Sequence, residues 1–365
     1  MNRRTLLIGG GGLAAVGAGA VYVGARQMGS SSDYEDAVRA MRATLSEHPE
    51  TQALIRYATL APNGHNTQPW RFVVGSRRIT IQPDFSRRTP VVDPDDHHVF
   101  VSLGCAAETL ALAGQAQGCR GELSFGEAKS GSITFAYRDA LPSRSALFDA
   151  IPHRQSTRNV YDGRSVSPDD LSTLGATAAV PGVDLVLITD RPKMDRLRDL
   201  VIAGNTAQMG NPAFLRELKS WLRFNPRQAL RTGDGLYSAT VGSPALPEWL
   251  GPRAFDLMDT AKSENDKYAR QLHSSAGLAV FVGVREDPEH WVLVGRACQR
   301  FSLQATALGL KCAFVNQPVE VPELRLELAA LVGMPGRRPD IVMRFGHGEG
   351  MPYSARRPVE TVMAA

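Results

Sequence analysis

Two short segments hold the polar residue types that could bind a charged, hydrogen-bonding ligand. The first is residues 61–75, in which a turn signal of Pro62, Asn63 and Gly64 leads through a polar stretch into an apolar run. Proline fixes φ, whereas Asn and Gly tolerate the left-handed region, so a tight loop is expected before a strand. The loop would place amide groups, including that of Asn66, at the mouth of the strand. Spacing alone still favours an ordinary turn.

The second segment, residues 153–162, carries two cations and a hydroxyl within five residues, at Arg154, Ser156 and Arg158. Forked cationic donors together with a hydroxyl suit a phosphate group. Alternate residues of an extended chain point to one side, so the three side chains could face one ligand. Taken alone, the segment is better explained as a solvated basic loop before a helix.

Both segments resemble motifs of the nitroreductase family of FMN-dependent oxidoreductases. The first matches in residue order, with Ala61-Pro62 followed by Asn66-x-Gln68-Pro69-Trp70-x-Phe72. The second resembles the Arg-x-Ser-x-(Arg/Lys) segment with which the family holds flavin phosphate and ring. The two motifs together favour a binding site over two unrelated loops. The FMN ligands that the resemblance implies here are Pro62, Asn63, Gly64, Asn66, Arg154, Gln155, Ser156 and Arg158.

The C-terminal part of the chain extends the resemblance. Asn316 and Gln317 occupy a position that runs past the flavin ring in the family and could bond its polar edge. Arg356 and Arg357 look like the basic tail that returns to the flavin phosphate, with a generic basic tail as an equal alternative. The implied activity is two-electron reduction of a small acceptor, such as a nitro compound or a quinone. No separate catalytic side chain is expected, because a bound flavin carries the chemistry.

An internal repeat indicates a duplicated chain. Cys105 and Cys119 are 14 residues apart, as are Cys298 and Cys312, and the intervening segments align without gaps as Ala- and Leu-rich helices. A helix of that length separates the cysteines of each pair by about 21 Å, too far for a disulfide within the helix. The cysteines are better explained as small apolar residues packed in a helix interface. The sequence contains no Cys-x-x-Cys motif that would indicate a zinc site.

The repeat predicts an α+β, nitroreductase-like fold of two fused copies, with antiparallel or mixed sheets flanked by helices. Nitroreductases are usually dimers with FMN at the subunit interface, and this chain resembles the Acg-like branch, a fused pseudo-dimer. We therefore expect a monomer with one complete FMN site. The first copy would span residues 33–145 and the second residues 146–365, with an inserted lid at about 191–275.

The insertion leaves a rival function open. Its Gly- and Pro-rich part, residues 233–249, has the character of an active-site lid, in which Tyr237 and Trp249 could fill the space above the flavin ring. A closed lid would suit a non-catalytic protein that stores or sequesters FMN. The sequence shows no nicotinamide signature, so it does not identify the electron donor.

The N-terminus predicts export. Arg3 and Arg4 precede a Gly- and Ala-rich apolar stretch, so residues 1–32 are interpreted as a twin-arginine signal and linker. The export machinery of that route would be a partner, and the protein would lie in the periplasm or cell envelope. Residues 6–25 are also long enough for an uncleaved membrane anchor, which we consider the less favoured alternative.

Other functions are disfavoured by composition and order. The net charge of +4 is too mild to indicate a nucleic-acid partner, and no RNA or DNA module is present. Asp93, His97 and His98 are metal-ligand types, but adjacent side chains on one element diverge. A polar loop is therefore expected there, and no metal is predicted.

Overall fold

The computed structural model describes residues 28–45, 51–126, 131–258 and 260–364. The predicted twin-arginine motif, with the possible anchor at residues 6–25, lies outside the described residues. That prediction is not tested by the fold.

The described chain contains two four-stranded antiparallel sheets. The first has the order β1-β2-β4-β3 and the second the order β5-β8-β10-β9, with a short parallel pair, β6 and β7, outside both. The strands are β1 (Trp70–Gly75), β2 (Arg78–Pro83), β3 (Cys119–Gly126), β4 (Ser132–Asp139), β5 (Val183–Ile188), β6 (Leu222–Arg223), β7 (Leu236–Tyr237), β8 (Gly277–Gly283), β9 (Lys311–Phe314) and β10 (Ile341–Gly346).

The two sheets have the same topology. In each, two neighbouring strands come first, a long helix follows, and two more strands complete the sheet in the same relative positions. We call these helices the first central helix (His97–Ala116) and the second central helix (Pro288–Ala307). The predicted α+β fold of two fused copies is therefore confirmed.

The two central helices cross closely because small residues stand at the crossing. A Cβ atom added to Gly295 would lie 2.0 Å from the Val101 carbonyl oxygen, and one added to Gly104 would lie 2.1 Å from the Val292 carbonyl oxygen. The Cys105 thiol donates to the Gly295 carbonyl at 3.1 Å. The first central helix is long and apolar enough to cross a membrane, but 83% of its apolar window is buried inside the protein.

An ion cluster also joins the central helices. Glu108, whose side chain is almost fully buried, accepts from Arg296 and Arg300, both at 2.9 Å. The four cysteines are free thiols. Cys105 and Cys298, equivalent positions of the repeat, are both buried, as expected for small apolar residues at a helix interface. The expectation was wrong for Cys119 and Cys312, because each central helix ends before them and they lie in β3 and β9.

The second sheet is buried on both faces. Every residue of β8 and β10 is buried, and alternate residues of each strand enter different cores. One core is shared with the central helices and the other with the helix Arg191–Met209. Covering both faces explains why β8 and β10 are apolar apart from Arg344, which is itself buried.

The insertion occupies residues 189–276, between β5 and β8, and is largely helical. The helices other than the central pair are Ser31–Met41, Thr51–Thr59, Ala146–Ala150, Pro168–Ala178, Arg191–Met209, Pro212–Trp221, Pro226–Thr232, Gly251–Met258, Ala261–His273, Gln317–Glu320, Pro322–Leu331 and Val359–Val362.

Candidate functional site

A cavity of about 320 Å³ lies between the two copies and under the insertion. Its walls come from the loop at residues 62–65, the start of the first central helix, Arg158, the segment after β9, and the insertion. Ligand pockets commonly have volumes of roughly 300–1,000 Å³ and form where structural units meet.

The first-copy loop reaches the cavity through Pro62, Asn63 and Gly64. The Asn63 carboxamide accepts from the Gln68 backbone N–H at 2.8 Å, which closes the turn. His65 has a positive φ of 47°, a strained conformation for a residue with a side chain. Strain of this kind occurs often at functional sites, where the surrounding structure maintains it.

Asn66, at φ 55°, turns away from the cavity. Its side-chain amide donates to the carbonyls of Gly235 and Ala355, each at 3.1 Å. Asn66 therefore ties the loop to the insertion and to the C-terminal tail.

Arg158 is the predicted cation that reaches the cavity. In the part of the chain that the structure describes, no acid forms an ion pair with its guanidinium, which interacts electrostatically with Tyr268 and Tyr161. Burial lowers the pKa of Arg158, and the two tyrosines oppose that shift. An arginine without an acidic partner at a cavity wall suits an anionic group of a ligand.

The other basic candidates lie behind the cavity wall. Arg154 is buried and donates to the Leu60 carbonyl at 2.9 Å, and Arg356 donates to the carbonyls of Thr59, at 2.6 Å, and Leu60, at 3.2 Å. Both arginines thus cover the C-terminal end of the helix Thr51–Thr59, where the helix dipole favours positive charge.

Three further candidates hold backbone segments together. The Gln155 side chain donates to the Met351 carbonyl at 2.8 Å, and Ser156 pairs with the backbone of Cys312. The Arg357 guanidinium donates to the Thr361 carbonyl at 2.9 Å. The structure does not place these side chains in the cavity wall, and their role as FMN ligands stays a prediction.

The opposite wall contains Asn316 and Gln317. Asn316 accepts from the Val342 backbone N–H at 2.9 Å, which holds it at the end of β9. The Gln317 side-chain oxygen is buried and finds no hydrogen-bond partner within the described ranges of the chain. An orphaned acceptor in a cavity wall suits a ligand N–H group. The cavity thus combines Pro62, Asn63, Gly64, Arg158, Asn316 and Gln317, but not Asn66, Arg154, Gln155, Ser156, Arg356 or Arg357.

The insertion supplies an apolar wall. Phe214, Leu246 and Phe255 line the cavity. Tyr237, expected there, instead packs against Tyr34 with the ring centroids 4.6 Å apart, and Trp249 is 64% exposed. The expectation for these two aromatics was wrong, because the helices at Pro212–Trp221 and Gly251–Met258 turn their apolar faces inward.

A polar cluster that sequence reasoning missed lies in the same cavity. His98 Nε2 and Glu320 Oε1 are 3.4 Å apart, and Gln208 donates to the other Glu320 oxygen at 2.6 Å. Burial would raise the pKa of Glu320. The hydrogen bond to His98 and the positive charge of His98 outweigh the effect of burial, so the pKa of Glu320 is lowered. His98 and Glu320 come from different copies, and no sequence signal linked them.

The Asp93 loop also differs from expectation. Ligand atoms of Asp93, His97 and His98 lie within 4.8 Å of one another, so the statement that these side chains diverge was wrong. The reason is that Asp93 folds back and accepts from the His98 backbone N–H at 3.0 Å. This is helix capping, and the positive end of the helix dipole disfavours a cation there. His97 bonds instead to Asp340 at 2.9 Å.

Comparison with known proteins gives relatives over most of the chain. No known family profile matches. "Putative NAD(P)H nitroreductase Rv3131" of Mycobacterium tuberculosis is 25% identical over 348 residues, which cover 89% of this chain and 94% of the relative. "Putative NAD(P)H nitroreductase acg" of the same organism is 23% identical and covers 85% of this chain and 94% of the relative.

Solved structures show a partial likeness. A nitroreductase with bound FMN from Desulfitobacterium hafniense covers 59% of this chain and 96% of its own, with a TM-score of 0.37 and 15% identity. The FMN-dependent nitroreductase NfnB from Mycobacterium smegmatis, in complex with NADPH, covers 56% and 88%, with a TM-score of 0.36 and 13% identity. The sequence relatives support the nitroreductase family as the family that this two-copy chain resembles.

Proposed function

We propose that this chain is an FMN-binding oxidoreductase that reduces a small organic acceptor, a nitro compound or a quinone, by two electrons. The observation that carries the proposal is the cavity between the copies, where, among the described residues, Arg158 has no acidic partner and the Gln317 side-chain oxygen has no hydrogen-bond partner. The names of the relatives, which match over 94% of their length, support the same activity.

The donor set of the cavity fits FMN. Arg158 would neutralise an anionic group, and Gln317 and Asn63 would bond the polar edge of the ring system. The apolar wall of the insertion would cover the remaining ring surface and exclude water. Bound FMN would supply the hydride chemistry, while the protein binds and orients it. Arg154 and Arg356, behind the wall, would add positive potential to a phosphate.

The test is purification followed by a visible spectrum, FMN extraction, and reduction by NADPH or dithionite, with nitrofurazone and menadione as acceptors. A flavin spectrum that bleaches with a reductant and returns on adding either acceptor supports the proposal. A protein that binds no FMN after reconstitution contradicts it.

A second function, storage or sequestration of FMN, is favoured by one observation. The insertion is tied to the first copy, since Asp234, which binds Arg223 within the insertion at 2.6 Å, also pairs with Arg87 of the first copy. In a storage protein, bound FMN would exchange slowly, and neither acceptor would reoxidise it. The same acceptor experiment separates the two functions.

We further propose export by the twin-arginine route, with the export machinery as partner and a periplasmic or cell-envelope location. The Arg3-Arg4 motif supports this route. The route exports folded proteins, so the chain could bind FMN before it is exported. We expect a monomer, because the two copies already supply both walls of the cavity. Fractionation with Arg3 and Arg4 both changed to Lys tests the route, and unchanged export contradicts it.

A further inference from the structure

The cavity wall holds a histidine–carboxylate pair that binding of a flavin does not explain. His98 is the second residue of the first central helix, and Glu320 ends the short helix Gln317–Glu320 of the second copy. Both side chains line the cavity and are only 13% and 18% exposed. Glu320 is fixed from its other side by Gln208.

We propose that His98, held by Glu320, is the proton donor to acceptors reduced in this cavity, an inference that rests on the proposed function. A quinone that takes a hydride from reduced flavin, the reductant of the proposed function, becomes a hydroquinone monoanion. The His98 imidazolium releases one proton to that oxygen, which completes the hydroquinone and leaves a neutral imidazole. A proton from water restores the imidazolium, so atoms and charge balance over the turnover.

The surroundings of His98 support a proton carrier. Burial alone would lower the pKa of His98, but the hydrogen bond to Glu320 and the charges of Asp93 and Glu320 outweigh it and raise the pKa. Arg338 acts in the opposite direction, as does the positive end of the helix. The surroundings of His98 therefore favour its protonated form, which is the form that a general acid needs.

The two neighbouring histidines are less suited to this role. Burial lowers the pKa of His65, and Arg158 and His98 lower it further against the charge of Glu320. His97 is fully buried, and burial outweighs its bond to Asp340, so its pKa is lowered. His98 is therefore the member of this histidine cluster whose protonated form its surroundings favour.

The experiment compares His98→Gln with His273→Gln in the FMN-loaded protein. His273 is an exposed histidine at the end of the helix Ala261–His273 and serves as the matched control. Stopped-flow absorbance measures flavin reduction and flavin reoxidation by menadione separately. We expect His98→Gln to leave reduction within about twofold but to slow reoxidation on the order of 100-fold, the usual contribution of a general acid.

Two further measurements distinguish proton donation from a purely structural role of His98. They are the pH profile of flavin reoxidation and a direct titration of the His98 imidazole. In the wild type, reoxidation is fastest when His98 is protonated and falls as pH rises through its pKa; His98→Gln removes this fall. Nuclear magnetic resonance of the His98 imidazole should show a pKa above the ordinary value of about 6.5, lowered by Glu320→Gln. Unchanged reoxidation in His98→Gln, or a His98 pKa that Glu320→Gln does not lower, overturns the inference. Wild-type flavin that no acceptor reoxidises refutes the proposed function instead.

Discussion

The close crossing of the two central helices predicts a measurable loss of stability from a very small substitution, Gly295→Ala. The added methyl would lie 2.0 Å from the Val101 carbonyl oxygen and about 3.0 Å from the Cys105 backbone nitrogen. Both atoms are backbone, so no side-chain rotation relieves the contact and the helices must separate. Forcing an extra carbon into a packed core costs about 1–3 kcal/mol or more.

The net change can be estimated. Alanine gains about 1 kcal/mol over glycine in a helix, so a clash at the upper end of the range leaves a loss of about 2 kcal/mol. For 365 residues, the unfolding entropy of about 2.1 cal/mol/K per residue gives roughly 0.75 kcal/mol per degree. The melting temperature should therefore fall by about 3 °C.

The matched control is Gly175→Ala. Gly175 lies in the helix Pro168–Ala178, and a Cβ atom there meets nothing within 4 Å. This variant keeps the propensity gain without the clash, so its melting temperature should rise by about 1 °C. Thermal melts followed by circular dichroism measure both. A Gly295→Ala variant as stable as Gly175→Ala would refute the close crossing.

Three further outcomes are expected from the site. Arg158→Ala should weaken FMN binding at least about 10-fold, since a charge-assisted bond contributes about 1.5–3 kcal/mol. Fluorescence titration measures the affinity, and substitution of the exposed Arg77 by Ala is the control. Equal FMN affinities of the two variants would refute the assignment of Arg158. Leu246→Ala with Phe255→Ala should open the apolar wall and speed FMN dissociation, and an unchanged off-rate would show that the insertion is no lid. Glu108→Ala should lower the melting temperature, because it leaves Arg296 and Arg300 without their shared buried carboxylate; an unaltered melt would show that the cluster contributes nothing.

The sequence predicted the framework well because it depends on periodic patterns. The cysteine repeat located the two central helices, and the turn at Pro62–Gly64 was found because its residue types are specific to backbone geometry. The helices of the insertion, such as Arg191–Met209, were visible as helical spacing of apolar residues.

The site was predicted only in part because side-chain direction depends on tertiary contacts. Arg154 and Arg158 were expected to face one side, as in a regular strand. Instead, the Thr157 backbone N–H bonds to the Cys312 carbonyl at 2.8 Å, and Arg154 turns to the carbonyl of Leu60. His98 and Glu320 are more than two hundred residues apart, so only the fold brings them together.

We propose that one chain builds one FMN site between its two copies. The most direct test is to extract and quantify FMN from the purified, reconstituted protein against its protein concentration. We expect about one FMN per chain, because Arg158, Gln317 and the loop Pro62–Gly64 line the same cavity. Two FMN per chain, or none after reconstitution, would contradict it.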